Sequence, residues 1–249
     1  MANPTRNRRA SARYTALGNH SDGDGRSVKI LCAVAMYPSE PYMYQATFDA
    51  INSQKLPDGV EMEIAYYYTD GIADGGLDIM TKHNTARQKV IDGDYAAMWS
   101  VEADMIVPSD ALAKLLQVDA DVVYGLYSAR STGMWLCFPE VGDVGTQAIT
   151  ANARAAAMAW GNVIDSEGVG MGCTLIRRAA LEQVSFRLDS PRFHDDWIFA
   201  QDVKRAGLRS KHHCGVVCGH ILNEKLSLWP DPDARQAFRR YAPGAYSMI

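Results

Sequence analysis

Short apolar runs alternate with helical patterns along the first half of the chain, and this alternation restricts the fold more than any other feature. Residues 28–36 are almost entirely apolar, as expected of a strand covered on both faces. Further strands are predicted at 60–68, 95–101 and 121–127, with a helical pattern after each of the first three strands. Because parallel strands need helical crossovers, we predict a single α/β domain with a Rossmann-like, mostly parallel central sheet flanked by helices.

The overall charge and the cysteines exclude several classes of protein. A net charge of −4 over 249 residues argues against a chain-wide basic surface for nucleic acid. The 5 cysteines are odd in number and scattered, and no secretory leader pattern precedes them, so we expect reduced thiols and a cytoplasmic protein. No apolar run approaches the roughly 18 residues that a membrane span requires, so no integral membrane segment is predicted.

Polar residues follow three of the predicted strands. Ligand sites in such sheets lie at the carboxyl ends of the strands, so Tyr37, Asp70 and Asp104 are expected to meet in one crevice. In extended backbone, Glu102 and Asp104 would point to the same side of the strand. Two carboxylates attract a hard cation such as Mg²⁺ or Mn²⁺. The alternative is a solvated acidic loop.

A second acidic pair, Asp195 and Asp196, lies where a helical pattern begins. Carboxylates are favoured at a helix N-terminus, so a structural cap is one interpretation. A cap needs only one aspartate, and the other could accept a proton from an attacking hydroxyl. A glycine-rich segment at 168–172 precedes another short strand, and we interpret it as a binding loop or a flexible turn.

Cysteine and histidine recur between residues 212 and 220, which suggests a zinc site at first. The spacing fits a structural zinc site badly, since such sites use separated ligand pairs. We instead predict a strand that brings His220 to the same metal as Asp104, with Cys214 and Cys218 as small buried residues.

Taken in order, three segments carry a resemblance to a known family. They are VEADM at 101–105, GVGMGCTLIRRAALE at 168–182 and HDDWIFAQDVKRAG at 194–207. Together with the apolar first strand, they resemble the family-2-like glycosyltransferases of the GT-A fold. That family binds metal and nucleotide diphosphate through a D-x-D element, which here is E-A-D, and takes its base from an E-D pair, which here is D-D.

The resemblance implies an inverting transfer of a hexose or pentose from a nucleotide-diphospho-sugar, with a UDP-sugar favoured, to a hydroxyl acceptor. It implies Asp104, Glu102 and His220 as ligands of Mn²⁺ or Mg²⁺, and Asp196, with Asp195 beside it, as the base. The residues expected to line the nucleotide end are Tyr37, Asp70, Asn84, Arg87, Glu102, Ala103 and Asp104.

The predicted organisation has three parts. Residues 1–26 form a flexible basic tail, 27–225 the GT-A domain and 226–249 a C-terminal extension that is a candidate lid. Within the domain, 27–130 is the nucleotide-binding half and 131–225 the acceptor and catalytic half. Trp135 and Trp160 are either sugar-stacking platforms or core residues, and core packing is preferred.

The acceptor stays open between a glycan, a protein and a hydroxymethylated DNA base. Stand-alone enzymes of this kind are similar to bacterial and phage ones, and a phage protein would work in the host cytoplasm. The DNA alternative rests on the basic tail and on four basic residues near the second acidic pair: Lys204, Arg205, Arg209 and Lys211. Two rival functions are a nucleotidyltransferase, which would need a glycine-rich basic loop after the first strand, and a non-catalytic module that binds nucleotide sugars.

Overall fold

The computed structural model describes residues 27–36, 43–68, 72, 74–137, 159–168, 170–189, 194–233, 238–242 and 244–248. Within these ranges the strands β1 to β11 are Val28–Ala35, Val60–Tyr67, Ala97–Glu102, Met105–Ile106, Val122–Leu126, Val163–Asp165, Cys173–Arg177, Ser210–Val217, Gly219–Asn223, Leu226–Pro230 and Phe238–Tyr241. The helices α1 to α5 are Gln45–Asn52, Gly75–Asp92, Ala111–Leu116, Arg178–Gln183 and Asp195–Arg205.

The central sheet has seven strands in the order β2-β1-β3-β7-β5-β8-β6. β1 pairs in parallel with β2 and β3, and β5 pairs in parallel with β8. β7 is antiparallel to both β3 and β5, and β6 is antiparallel to β8. The remaining strands therefore share one direction, and the predicted mixed α/β fold with a mostly parallel central sheet is confirmed.

Helices cover both faces of this sheet, which explains the apolar first strand. Ile30, Cys32 and Val34 pack into a cluster with residues of α1 and α3. Leu31 and Ala33 pack on the opposite face with residues of α2, α4 and α5. Each fully buried side chain of this size contributes about 1.5–3 kcal/mol relative to exposure, so a strand with two covered faces must be apolar throughout.

A second sheet has the order β11-β10-β9-β4 and lies beside the end of β3. Its short strand β4 starts two residues after β3 and pairs with β9, so that Met105 lies opposite His220. The C-terminal stretch joins this sheet through β10, and the Ser247 carbonyl accepts a hydrogen bond of 2.7 Å from the Gln45 amide at the start of α1. Its predicted role as a lid stays a prediction.

No helix among the described residues combines the length and the apolar composition that a membrane span requires.

Candidate functional site

The first acidic element lies where β3 leaves the central sheet. β3 ends at Glu102, and Ala103 and Asp104 form a tight turn into β4. The prediction that residue 104 continues the extended backbone is therefore wrong. The turn, and not the alternation of side chains along a strand, brings the carboxylates of Glu102 and Asp104 together. The Ala103 carbonyl accepts a hydrogen bond of 3.2 Å from the Tyr44 amide, and the Asp104 carbonyl accepts one of 2.8 Å from the Ile221 amide.

The pairing of β4 with β9 brings His220 to this turn across 116 positions of sequence. His220 Nε2 lies 3.2 Å from Asp104 Oδ2, while its Nδ1 is 2.8 Å from the Ser128 carbonyl. Ligand atoms of Glu102, Asp104 and His220 all lie within 4.8 Å of one another. Two carboxylates and one imidazole at these separations form a donor set that suits a divalent cation such as Mn²⁺.

The cluster is electrostatically strained. Burial, together with the charge of Asp104, raises the pKa of Glu102 to about 7. Burial is the largest single influence on His220 and opposes a charged imidazole, but the hydrogen bond to Asp104, the charges of Asp104 and Glu102 and the Ser128 carbonyl together raise its pKa. A carboxyl group that holds its proton near neutrality beside a second carboxylate releases that proton more readily when a cation binds.

The second acidic pair lies in the first turn of α5. The interpretation of these aspartates as the helix cap is wrong, because His194 occupies the N-cap position and makes no side-chain capping bond. Asp196 Oδ1 instead accepts a hydrogen bond of 2.6 Å from the Trp197 amide. Burial, followed by the charge of Asp195, raises the pKa of Asp196 from 3.8 to about 6.

Asp195 has a partner that the sequence did not predict. His83, on α2, places Nδ1 2.6 Å from Asp195 Oδ2, and both side chains are buried. Burial alone would lower the pKa of His83, but Asp195 raises it. The pair joins two helices across 112 positions of sequence, and a single histidine on a helix carries no pattern that would have identified it.

Arg130 is a second residue that the sequence analysis missed. It follows β5, and its Nη1 lies 3.0 Å from Asp104 Oδ2. Because β5 runs parallel to β1 and β3, the rule that ligands bind at the carboxyl ends of strands could have indicated the segment after Leu126.

With the exception of the fully buried Asp104, these groups border one cavity of about 360 Å³ at the carboxyl ends of β1, β3 and β5. Its charged and titratable lining includes Glu102, His220, Arg130, His83, Asp195 and Asp196. Side chains of both acidic segments, Glu102 of the first and Asp195 and Asp196 of the second, therefore border the same cavity. A volume in this range matches small-molecule sites in proteins.

The glycine-rich segment packs against two tyrosine rings. A Cβ on Gly168, whose φ is +63°, would lie 2.0 Å from Tyr124 Cε2. A Cβ on Gly170, whose φ is +103°, would lie 2.1 Å from the Tyr127 hydroxyl. That hydroxyl accepts a hydrogen bond of 3.1 Å from the Gly172 amide. Close approach to tyrosines explains these glycines, so no ligand is needed to account for them.

Asn84 and Arg87 lie on α2 but are committed elsewhere. Asn84 exchanges two hydrogen bonds with the backbone of Phe186, at 2.7 and 3.1 Å. Arg87 Nε donates to the carbonyls of Leu181 and Val184. Neither side chain lines the cavity. Their predicted contact with the nucleotide stays a prediction.

Other predicted site residues fall outside the described part of the chain. Tyr37 and Asp70 belong to residues that the structure does not describe, as does the basic tail at 1–26. Their predicted roles remain predictions.

The cysteines and tryptophans have structural roles. All five cysteines are buried as free thiols, including Cys214 and Cys218. Trp135 is fully buried and packs with Leu126 and Cys214 in a core cluster. Trp160 is 36% exposed and its ring lies 5.8 Å from that of Trp135. Core packing is therefore the role of Trp135.

The basic residues in the last turn of α5 and just after this helix are paired with carboxylates. Each ion pair joins two exposed or partly exposed side chains: Lys204 with Glu167, Arg205 with Asp202, Arg209 with Asp119, and Lys211 with Asp165. Their positive charge is thus largely balanced locally, which weakens the electrostatic attraction to a phosphate backbone.

Comparisons with known proteins support the fold. No family model matches the chain, and no curated protein matches its sequence. The crystal structure of A197 from STIV superimposes with a TM-score of 0.57 at 15% identity, covering 86% of this chain and 93% of that chain. S. aureus TarS 1–349 in complex with UDP-GlcNAc gives a TM-score of 0.42 at 13% identity, covering 76% of this chain and 56% of that chain. The A197 likeness shows a shared fold alone, and the TarS score is too low to establish even that.

Proposed function

We propose that this chain is a metal-dependent, inverting glycosyltransferase that moves a sugar from a nucleotide-diphospho-sugar, with a UDP-sugar favoured, to a hydroxyl acceptor. One observation carries the proposal: a cluster of metal-ligand type reaches a cavity through Glu102 and His220, and an acidic helix N-terminus borders the same cavity. The first comprises Glu102, Asp104 and His220, and the second Asp195 and Asp196. A transfer of this kind needs positive charge at the leaving diphosphate and a base at the acceptor. The first acidic segment would supply the positive charge by holding a cation, and the second would supply the base.

Glu102, Asp104 and His220 would hold the ion. When bound, Mn²⁺ or Mg²⁺ would neutralise charge that develops on the departing diphosphate. The ordinary ligand chemistry of these ions, oxygen atoms with an imidazole tolerated by Mn²⁺, agrees with the two carboxylates and one histidine present. The Ser128 carbonyl at 2.8 Å from His220 Nδ1 would fix the ring so that Nε2 faces the carboxylates.

We assign the base to Asp196 rather than Asp195. One oxygen of Asp195 is already held by His83 at 2.6 Å, which makes Asp195 a positioning residue for the helix terminus. The pKa of Asp196, about 6, is closer to neutrality than that of an ordinary aspartate, and a base is most effective when its pKa is near the working pH.

The reaction is a single in-line displacement. A bond forms between the acceptor oxygen and the anomeric carbon while the bond from that carbon to the diphosphate oxygen breaks. Asp196 takes the acceptor proton, and the leaving diphosphate keeps the electron pair. Attack from the face opposite the leaving group inverts the anomeric centre.

A donor screen tests the proposal. The protein is incubated with a panel of nucleotide sugars and Mn²⁺, and release of nucleoside diphosphate is followed by mass spectrometry. Asp196→Asn is expected to lower the rate by about 10²–10⁴-fold, the range for a general base, and Asp195→Asn by less. Full activity of Asp196→Asn would remove the assigned base.

The same screen separates the rival functions. A nucleotidyltransferase acts at the nucleotide α-phosphate, so with these donors it would release sugar 1-phosphate instead of nucleoside diphosphate, whereas a binding module would release neither product. We expect release of nucleoside diphosphate alone, with slow hydrolysis by water when no acceptor is present.

For the acceptor we favour a glycan or protein hydroxyl over hydroxymethylated DNA, because the basic residues beside α5 are paired with carboxylates. Transfer to a duplex containing hydroxymethylcytosine at low salt, at a rate matching any glycan acceptor, would contradict this preference.

A further inference from the structure

Arg130 occupies an unusual position for a residue beside an acidic metal-ligand cluster. Its Nη1 lies 3.0 Å from Asp104 Oδ2, and its Nη2 donates a hydrogen bond of 3.2 Å to the Leu222 carbonyl. The same Asp104 oxygen lies 3.2 Å from His220 Nε2. A guanidinium and an imidazole thus converge on the carboxylate oxygen that a cation would use.

The guanidinium and a divalent ion compete for this position. A carboxylate oxygen engaged by arginine has fewer lone pairs to offer a metal, and two positive charges a few ångströms apart repel each other strongly in a cavity of low dielectric. Deprotonation of Arg130 cannot relieve this repulsion, since arginine stays charged in proteins. Binding of an ion at Asp104 Oδ2 therefore requires the side chain of Arg130 to move.

The surroundings permit that movement. The backbone around Arg130 is held by hydrogen bonds of 2.8 Å, from the Ala129 amide to the Met134 carbonyl and from the Gly133 amide to the Ala129 carbonyl. The side chain, in contrast, is 39% exposed and borders the cavity. Rotation of the side chain on a fixed turn would carry the guanidinium from Asp104 into the space where the diphosphate is expected.

We propose that Arg130 is an internal latch: it pairs with Asp104 while the cluster holds no divalent ion, and it turns onto the donor diphosphate when the ion binds. The inference rests on the proposed function, because it takes the diphosphate as the second partner. A guanidinium presents a planar fork of donors that matches phosphate oxygens, so Arg130 gains a partner of equal quality when it leaves Asp104. The ion and the diphosphate then bind cooperatively.

Binding measurements on Arg130→Gln test the latch without any need for turnover. Affinity for Mn²⁺ alone is measured by the electron paramagnetic resonance signal of the unbound ion. We expect Arg130→Gln to bind Mn²⁺ about tenfold more tightly than wild type, because a competing charge-assisted hydrogen bond is gone. With Mn²⁺ saturating, affinity for UDP is measured by calorimetry, with ADP and GDP in parallel, and we expect about tenfold weaker binding by the variant.

Two further variants serve as controls. Lys89→Gln removes one positive charge from an exposed ion pair with Glu63 and is expected to leave both affinities unchanged. Arg130→Lys keeps the charge but loses the fork, so we expect Mn²⁺ affinity near that of wild type and weakened diphosphate binding. If Arg130→Gln fails to fold, as judged by circular dichroism, Arg130→Lys decides through its diphosphate affinity.

The outcomes separate the latch from the proposed function. Unchanged or weaker Mn²⁺ binding by Arg130→Gln, or no Mn²⁺ binding at all, would overturn the latch. Tighter Mn²⁺ binding by Arg130→Gln with unchanged diphosphate affinity would overturn the proposed movement of Arg130 onto the diphosphate. The proposed metal site is judged separately by Asp104→Asn, which must lose Mn²⁺. If that variant binds Mn²⁺ as wild type does, the proposed function loses its metal site, whatever Arg130 does.

Discussion

Replacing Asp196 by Asn should stabilise the fold, and the gain should depend on pH. Burial and the charge of Asp195 raise the pKa of Asp196 from 3.8 to about 6, so the fold favours the neutral carboxyl. The neutral form contributes stability that is fully present below the unfolded-state pKa near 3.8 and is lost as pH rises through about 6. Asparagine is neutral at every pH. The stability advantage of the variant should therefore appear as the pH rises above 3.8 and become constant above about 6.

The size of the stability gain follows from the pKa shift of Asp196. Two pKa units correspond to about 3 kcal/mol, and we halve this to about 1.5 kcal/mol because the Asp196 side chain is only partly buried. For a chain of this size the gain corresponds to a rise in Tm of about 3–6 °C near pH 8 and almost none near pH 4. Differential scanning calorimetry of both proteins at these two pH values measures it.

Asp119→Asn is a control for which the expected change in stability has the opposite sign. Arg209 lowers the pKa of the exposed Asp119, so Asp119→Asn should lose a stabilising charge above the ordinary aspartate pKa rather than gain stability. The other charged groups around Asp196 are His194, His83 and Glu102, and the Asn variant leaves them in place. An equal rise in Tm at both pH values would show that the gain does not come from ionisation of Asp196, and the reasoning would be refuted.

Three further predictions concern packing, the buried pair and the thiols. Gly168→Ala should cost about 2–4 kcal/mol in urea unfolding, because its Cβ meets the Tyr124 ring at positive φ; Gly161→Ala, with φ +83° and open space, should cost only about 1 kcal/mol. A double-mutant cycle of His83→Ala and Asp195→Asn should give a coupling free energy of about 1–3 kcal/mol in unfolding measurements, and additive effects would contradict the pair. The five buried cysteines should react with a thiol reagent only after denaturation, and rapid reaction of the native protein would contradict their burial.

The strands could be predicted from sequence because burial on both faces demands apolar residues at every position. β1 is the clearest example: Ile30 and Leu31 are adjacent in sequence, face opposite sides of the sheet and are both fully buried. The ends of the four strands predicted at 28–36, 60–68, 95–101 and 121–127 lie within two residues of those of β1, β2, β3 and β5, whereas the strand predicted to carry Cys214 to His220 is two strands, β8 and β9. The cap of α5 could not be predicted, because His194 takes the N-cap position without a side-chain capping bond.

The acidic segments of the site and His220 could be found from sequence, but the partners His83 and Arg130 could not. Glu102 and Asp196 belong to local patterns at the end of a strand and the start of a helix. His83 acquires its role only because α2 packs beside the first turn of α5, and Arg130 only because β5 ends at the same edge of the sheet as β3. Such roles depend on contacts between distant segments, which no local pattern records.

The charges around the cavity indicate an order of binding. In the described part of the chain, the carboxylates in or beside it are Glu102, Asp104, Asp195 and Asp196. The pKa of Glu102 is raised to about 7 and that of Asp196 to about 6, first by burial and then by repulsion among these negative charges. A diphosphate would add more, and its entry would be unfavourable unless positive charge entered with it. A divalent ion at the proposed ligands Glu102 and Asp104 would bring two positive charges and, on the proposed latch, would release the guanidinium of Arg130. The donor should therefore bind with its metal ion or after it, and affinity for the nucleotide diphosphate should rise with Mn²⁺ concentration until the cluster is saturated.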